Sequence, residues 1–137
     1  MSANYLRQLE SEFTSLLKPD ETIAALGVFK KDPAISHILL TRGIARYAAR
    51  EFHAAVTNQR MIVLTVHFIR GEKVLSSPLE AGISEVQITR NFFNETILVV
   101  PIEPLEKPLS LRFKSRMEVL GLSSSDFISA LKQSPTT

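Results

Sequence analysis

The sequence predicts one α+β domain built mostly of antiparallel strands, on three observations. Val56-Thr57-Asn58-Gln59-Arg60-Met61-Ile62-Val63-Leu64 reads as an apolar strand, a polar turn and a second, longer apolar strand. Helical periodicity is confined to the two ends of the chain and to one internal stretch. Short apolar runs punctuated by turn residues fill the remainder.

The elements follow in order. Leu6, Leu9, Phe13, Leu16 and Leu17 recur at spacings of three and four, which predicts an amphipathic helix over Asn4 to Leu17, ended by Pro19. A helix of that length is marginal alone in water, so its apolar stripe needs a surface to dock on. Glu21 to Lys31 reads as the first strand, with Ile23, Leu26 and Val28 as its apolar positions. Asp32-Pro33 offers an N-cap and a first-turn proline, and Ile35, Ile38, Leu39 and Ile44 continue a helical pattern over about 33–49.

A hairpin spans Glu51 to Phe68. Its second arm, Met61 to Ile69, is apolar on both parities, so both of its faces should be covered. The N-terminal helix is the candidate for the outer cover. Lys73 to Ser77 reads as a short strand stopped by Pro78, and Ile83 to Thr89 as another. Glu95 to Val100 follows a turn at Asn91-Phe92-Phe93-Asn94. Leu109, Leu111 and Phe113 alternate with Ser110, Arg112 and Lys114, which predicts a strand with one wet face. Ser115 with Glu118 and Ser123 with Asp126 read as helix-capping pairs before a closing helix through Phe127, Ile128 and Leu131. The predicted domain spans 1–133: an N-terminal helix to 18, strands with the helical insertion over 19–116, the final helix over 117–133, and a frayed tail over 134–137.

The composition excludes several classes. The chain has 137 residues and no cysteine, so disulfides and thiolate metal sites are absent and a cytoplasmic protein is favoured. No signal-peptide pattern is present, and no apolar run approaches the roughly 20 residues of a membrane span. A net charge of +2 does not call for nucleic acid. Residues 30–60 nevertheless hold six basic side chains against two acidic ones.

Four motifs in order resemble the bacterial pleckstrin-homology-like (PH-like) domain family. Ala55-Val56-Thr57-Asn58-Gln59-Arg60-Met61-Ile62-Val63 is similar to its "x-V-T-(N/D)-x-R-(L/M)-(I/V)" hairpin. Leu17-Lys18-Pro19-Asp20-Glu21-Thr22-Ile23 resembles its opening "L-x-x-x-E-x-I". Ser77-Pro78-Leu79 through Ile83-Ser84-Glu85-Val86 resembles its "S-I-P-L-x-x-I-x-x-V" strand pair, and Leu109 to Phe113 its last strand. The resemblance implies a bent, partly open antiparallel barrel of about seven strands with a C-terminal capping helix. The N-terminal helix is an addition to that plan. It also implies a binding or assembly module rather than an enzyme, with no cofactor. The "K-x(n)-(K/R)-x-R" pattern of phosphoinositide-binding relatives is incomplete here, because Arg42, Arg46 and Arg50 are spaced by four.

The candidate functional residues are few. Lys30, Lys31, Arg42, Arg46 and Arg50 form a basic segment suited to an anionic membrane surface or ligand. Leu6, Leu9, Phe13, Phe92 and Phe93 are candidates for an interaction surface, with a protein partner or a second copy as the expected occupant. His37, His53 and His67 share no i, i+3 or i+4 spacing, so no metal site is expected. Ser123-Ser124-Ser125 lacks a G-x-S-x-G frame, and no phosphate-cradling glycine loop or catalytic set is present.

Overall fold

The computed structural model describes residues 2–31, 51–75, 78–90, 95–102, 108–114 and 117–133. The expected helix over 33–49, the Ser115 cap, the Phe92-Phe93 tip and the 134–137 tail lie outside the described residues. In chain order the elements are α1 (Ser2–Thr14), β1 (Ile23–Lys31), β2 (Glu51–Thr57), β3 (Met61–Ile69), β4 (Glu72–Leu75), β5 (Leu79–Ala81), β6 (Gln87–Arg90), β7 (Thr96–Val100), β8 (Leu109–Phe113) and α2 (Ser124–Lys132). Short 3₁₀ turns occupy Ile83–Glu85 and Met117–Leu120.

The strands form one antiparallel sheet in the order β4-β3-β2-β1-β8-β7-β6. β5 pairs with Met61 to Val63, while β4 pairs with Val66 to Ile69, so the two share one edge of β3. Eight strands therefore occupy seven positions across an open sheet. The hairpin turn falls where the sequence puts it: Val56 pairs with Met61, and the Thr57 amide donates to the Arg60 carbonyl at 2.8 Å.

One face of this sheet converges on a single core. Phe29, Phe52, Met61, Val63, Leu98 and Leu111 all meet Phe127 and Leu131 of α2 there. A seven-strand sheet can gather its face around one short helix only by curling, so the sheet is bent. Ser123 starts that helix by accepting the Asp126 amide at 3.2 Å. Gly27 lets α2 approach closely: a Cβ there would lie 2.8 Å from the Phe29 ring and 3.1 Å from Phe127. Phe29, Phe113 and Phe127 stack edge and tilt beside it, with centroids 4.7 to 5.9 Å apart.

The opposite face of β1–β3 carries a second core. Val28, Ala55, Ile62 and Leu64 are its floor, and Leu9 and Phe13 of α1 pack on it with Met117 and Leu122. The two apolar parities of β3 thus meet two different covers, α2 inside and α1 outside. All six residues from Met61 to Val66 are buried as a result.

Three expectations change. α1 ends at Thr14 rather than Leu17, because the Leu16 and Leu17 amides turn to the Phe13 and Thr14 carbonyls three residues back, and the Arg60 guanidinium then caps the Leu16 carbonyl at 2.9 Å. Ile83 to Thr89 is not one strand: Ile83 turns inward as a buried residue of a 3₁₀ turn, and pairing begins only at Gln87. β8 lacks a wet face, since Ser110 is buried and Arg112 half-buried beside Val99 and Ile97 of β7.

Phe13 is fully buried and Leu9 is 1% exposed. Phe13→Ala should cost about 3–5 kcal/mol and Leu9→Ala about 2–5 kcal/mol, read as urea-midpoint shifts. Because the receiving surface belongs to the same chain, neither shift should vary with protein concentration.

Candidate functional site

Two polar clusters sit on the outer side of the β1–β3 region. The first is built at the β2–β3 turn. Thr57 caps the turn with its own hydroxyl, which accepts the Gln59 and Arg60 amides, each at 3.0 Å. That hydroxyl donates in turn to Glu21 at 2.6 Å. Asn58 ties the turn to the chain before β1: its side chain accepts the Thr22 amide at 3.0 Å and donates to the Asp20 carbonyl at 3.1 Å. Arg60 grips Glu21 with two nitrogens, at 2.9 and 3.0 Å, and reaches Glu80 of β5 at 2.9 Å. The Lys18 amide adds a fourth donor to Glu21 at 3.0 Å. The Glu21 side chain is fully buried, and the Arg60 bond holds its pKa down to about 2 against the opposing effect of burial.

The second cluster centres on His53, which is 1% exposed beneath α1. Its Nδ1 faces Glu12 of α1 at 2.5 Å, and its Nε2 faces Glu51 of β2 at 3.0 Å. Lys73 of β4 bonds Glu12 at 2.6 Å, and Lys114, just past β8, bonds Glu51 at 2.8 Å. Burial disfavours the imidazolium, but the bonds to Glu12 and Glu51 outweigh it and raise the His53 pKa above 6.5. Glu51 is held down to about 2, mainly by the His53 bond. Burial raises Glu12, yet its bonds to His53 and Lys73 leave it lowered. Tyr5 is pushed up to about 12 by burial and by the nearby Glu51 and Glu12 charges.

The two carboxylates flank opposite edges of one ring, so they do not converge on an ion. Among the described residues, no group of three or more His, Cys, Asp or Glu is placed to hold a metal. An open groove of about 490 Å³ between the hairpin tip and α2 is lined by Ala24, Thr57, Asn58, Asp126 and Ser129, among others. Among the described residues, Asp126 is the one ionisable residue in that lining.

Comparison with protein-family models gives no match, and comparison with curated proteins gives none. Among solved structures the chain is similar to a pleckstrin homology domain from Shewanella amazonensis SB2B, at 15% identity and a TM-score of 0.42. The similarity covers 90% of this chain and 96% of that one. The open antiparallel sheet of bent strands, closed at one side by a C-terminal helix, agrees on its own terms with the PH-like architecture that the sequence motifs imply. Among the described residues no helix is long and apolar enough to cross a membrane.

The candidate residues from sequence separate. Lys30 is exposed and pairs across the sheet with Arg112, and Lys31 pairs with Leu111. Arg42, Arg46, Arg50, Phe92 and Phe93 lie outside the described residues. Leu9 and Phe13 are buried, and Leu6 half-buried, on the chain's own sheet. Sequence reasoning missed the His53 cluster. Part of its signal was present, since Glu51 and His53 are two apart on a strand and share a face. Glu12 arrives from a helix 41 residues away.

Breaking the first cluster should be severe. Glu21→Gln takes from the mostly buried Arg60 cation its buried ionic partner, leaving the exposed Glu80, and should cost about 3–5 kcal/mol at neutral pH. The stabilisation from a carboxylate whose folded pKa is lowered is present above about 4.5 and is lost as pH falls toward about 2. The gap between wild type and variant in urea midpoint should therefore narrow on acidification through that range.

Proposed function

We propose that the chain is a non-catalytic interaction module that associates with a second copy of itself through the edge strand β6. The observation that carries this reading is the exposed edge strand β6. The other edge strand, β4, also exposes an aliphatic, Val74 at 41%, but sets it beside the adjacent charges Glu72 and Lys73, of the kind that guard an edge. β6, Gln-Ile-Thr-Arg, is exposed throughout, holds Ile88 at 38% exposure, and pairs among the described residues only with β7. An edge whose one charge, Arg90, sits at its end and whose centre is an exposed isoleucine suits strand addition. Antiparallel pairing of two β6 strands about Ile88 would bring the isoleucines together, with Gln87 opposite Thr89 and no like charges facing each other. So short a strand buries little surface, so the association should be weak and concentration-dependent. Sedimentation at several concentrations should show mass rising with concentration, and Ile88→Lys should hold the protein monomeric with unchanged thermal unfolding. A mass fixed at one chain up to millimolar concentration would overturn this reading.

A second reading, anionic-surface binding through Lys30, Lys31, Arg42, Arg46 and Arg50, is favoured by one observation. Lys30 and Arg112 are like charges directly opposite on neighbouring strands, and Arg112 Nε is buried without a hydrogen-bond partner among the described residues, while its Nη1 lies 3.7 Å from Glu95. An anion would relieve both. Co-sedimentation with acidic vesicles should then exceed that with neutral ones, fall with salt, and vanish on charge reversal of Arg42, Arg46 and Arg50. Each basic residue is worth about 1 kcal/mol at such a surface, so the binding should be weak. Equal binding to both vesicle types would remove the reading.

A further inference from the structure

The His53 cluster is overbuilt for a salt link. A neutral imidazole carries one N–H, yet both ring nitrogens face a carboxylate oxygen at hydrogen-bond distance, 2.5 Å to Glu12 and 3.0 Å to Glu51. Only the imidazolium donates to both. The two acceptors belong to different layers: Glu51 is on the sheet with His53, and Glu12 is on α1. The protonated ring is therefore a charged bolt between the sheet and the helix that covers it.

We propose that this bolt is a pH-operated latch: His53 holds α1 on the sheet while protonated, and loss of that proton loosens α1, so that it lifts and bares the apolar face of β1–β3 more often. The neutral tautomer with its proton on Nε2 turns a buried lone pair toward the Glu12 carboxylate. The tautomer with its proton on Nδ1 keeps a bond to the Glu12 carboxylate but carries no charge, and turns a lone pair on Glu51. In both, the ion pair between layers is gone. What remains of the helix's hold is Leu9 and Phe13, with Tyr5 and Leu6 beside them, on the floor of Val28, Ala55, Ile62 and Leu64, the Arg60 bond to the Leu16 carbonyl just past its end, and the Lys73–Glu12 bond, whose lysine is 41% exposed. The shared carboxyl loads on the ring are Glu12 from α1 and Glu51 from β2, and the facing cations are Lys73 from β4 and Lys114 after β8. Tyr5 of α1 stays neutral through the relevant range. Across β1 and β3, His53 is paired with Val28 and Leu64, which carry no charge.

The direction follows from the ring's partners. A histidine whose folded pKa is raised gives stabilisation that is complete below about 6.5 and is lost as pH rises through the folded value. The latch thus opens on the alkaline side. Neither Glu12 nor Glu51 limits it there, because both are lowered and stay ionised.

Amide hydrogen exchange followed by two-dimensional NMR on the full chain from pH 6 to 9 tests this, with each rate corrected for its intrinsic pH dependence and the His53 ring signals followed in the same samples. Protection across α1 should fall about tenfold as His53 titrates, the order expected when an ion pair loses its cation, while amides of β1, β2 and β3 stay protected. Glu12→Gln should show weaker α1 protection at pH 6 and no step at the His53 titration. Three results would overturn the latch: α1 protection that is flat while His53 titrates, loss of α1 and strand protection together, or a Glu12→Gln chain that keeps the full step. The wild-type titration decides the matter by itself should the variant fold poorly.

Discussion

The grip of Arg60 on Glu21 is the constraint on which the rest of the structure depends. It joins three places that are far apart in the chain: the end of α1 through the Leu16 carbonyl, the entry to β1 through Glu21, and the edge strand β5 through Glu80. The Thr57 hydroxyl completes it by shaping the turn and donating to the same carboxylate. A buried carboxylate is costly unless its lone pairs are filled, and here four donors fill them. Once made, the pair fixes where α1 stops, where β1 starts and how the hairpin leans against both. The sequence motifs carrying Glu21 and Arg60 look separate in the chain, but physically they are one unit.

The second organising feature is the two-faced strand β3. A half-buried strand needs one cover, whereas β3 has apolar side chains on both sides and needs two. α2 fills the concave side, where Gly27 gives it room, and α1 seals the convex side. The two covers are not equivalent. α2 is held by aromatic packing deep in the main core. α1 is held by a smaller apolar patch together with charges.

What could be read in advance divides along the same physical line. The hairpin register was legible because a two-residue turn and a period-2 pattern leave little choice, and His53 does face Leu64. The need for a second cover on β3 was legible from its two apolar parities, and the closing helix from Phe127 and Leu131 with their Ser123 cap. The stretch from Ile83 to Thr89 misled because alternation over so few residues fits both a strand and a turn that buries a single isoleucine. Ser110 misled because a hydroxyl in a central strand is small enough to be covered. The His53 cluster was out of reach, since nothing local to residue 53 announces a carboxylate that arrives from residue 12.

The pairing of Phe29 with Phe52 has one more consequence. It sets the two ends of the segment 32–50 on neighbouring strands, a single inter-strand spacing apart. The sheet below therefore does not depend on how many residues lie between them. Doubling the length of a connection between points so close costs only about 0.6 kcal/mol in closure entropy. The fold keeps its own stability in the strands and leaves at this one rim a place where sequence can lengthen, shorten or be exchanged with little effect on the scaffold.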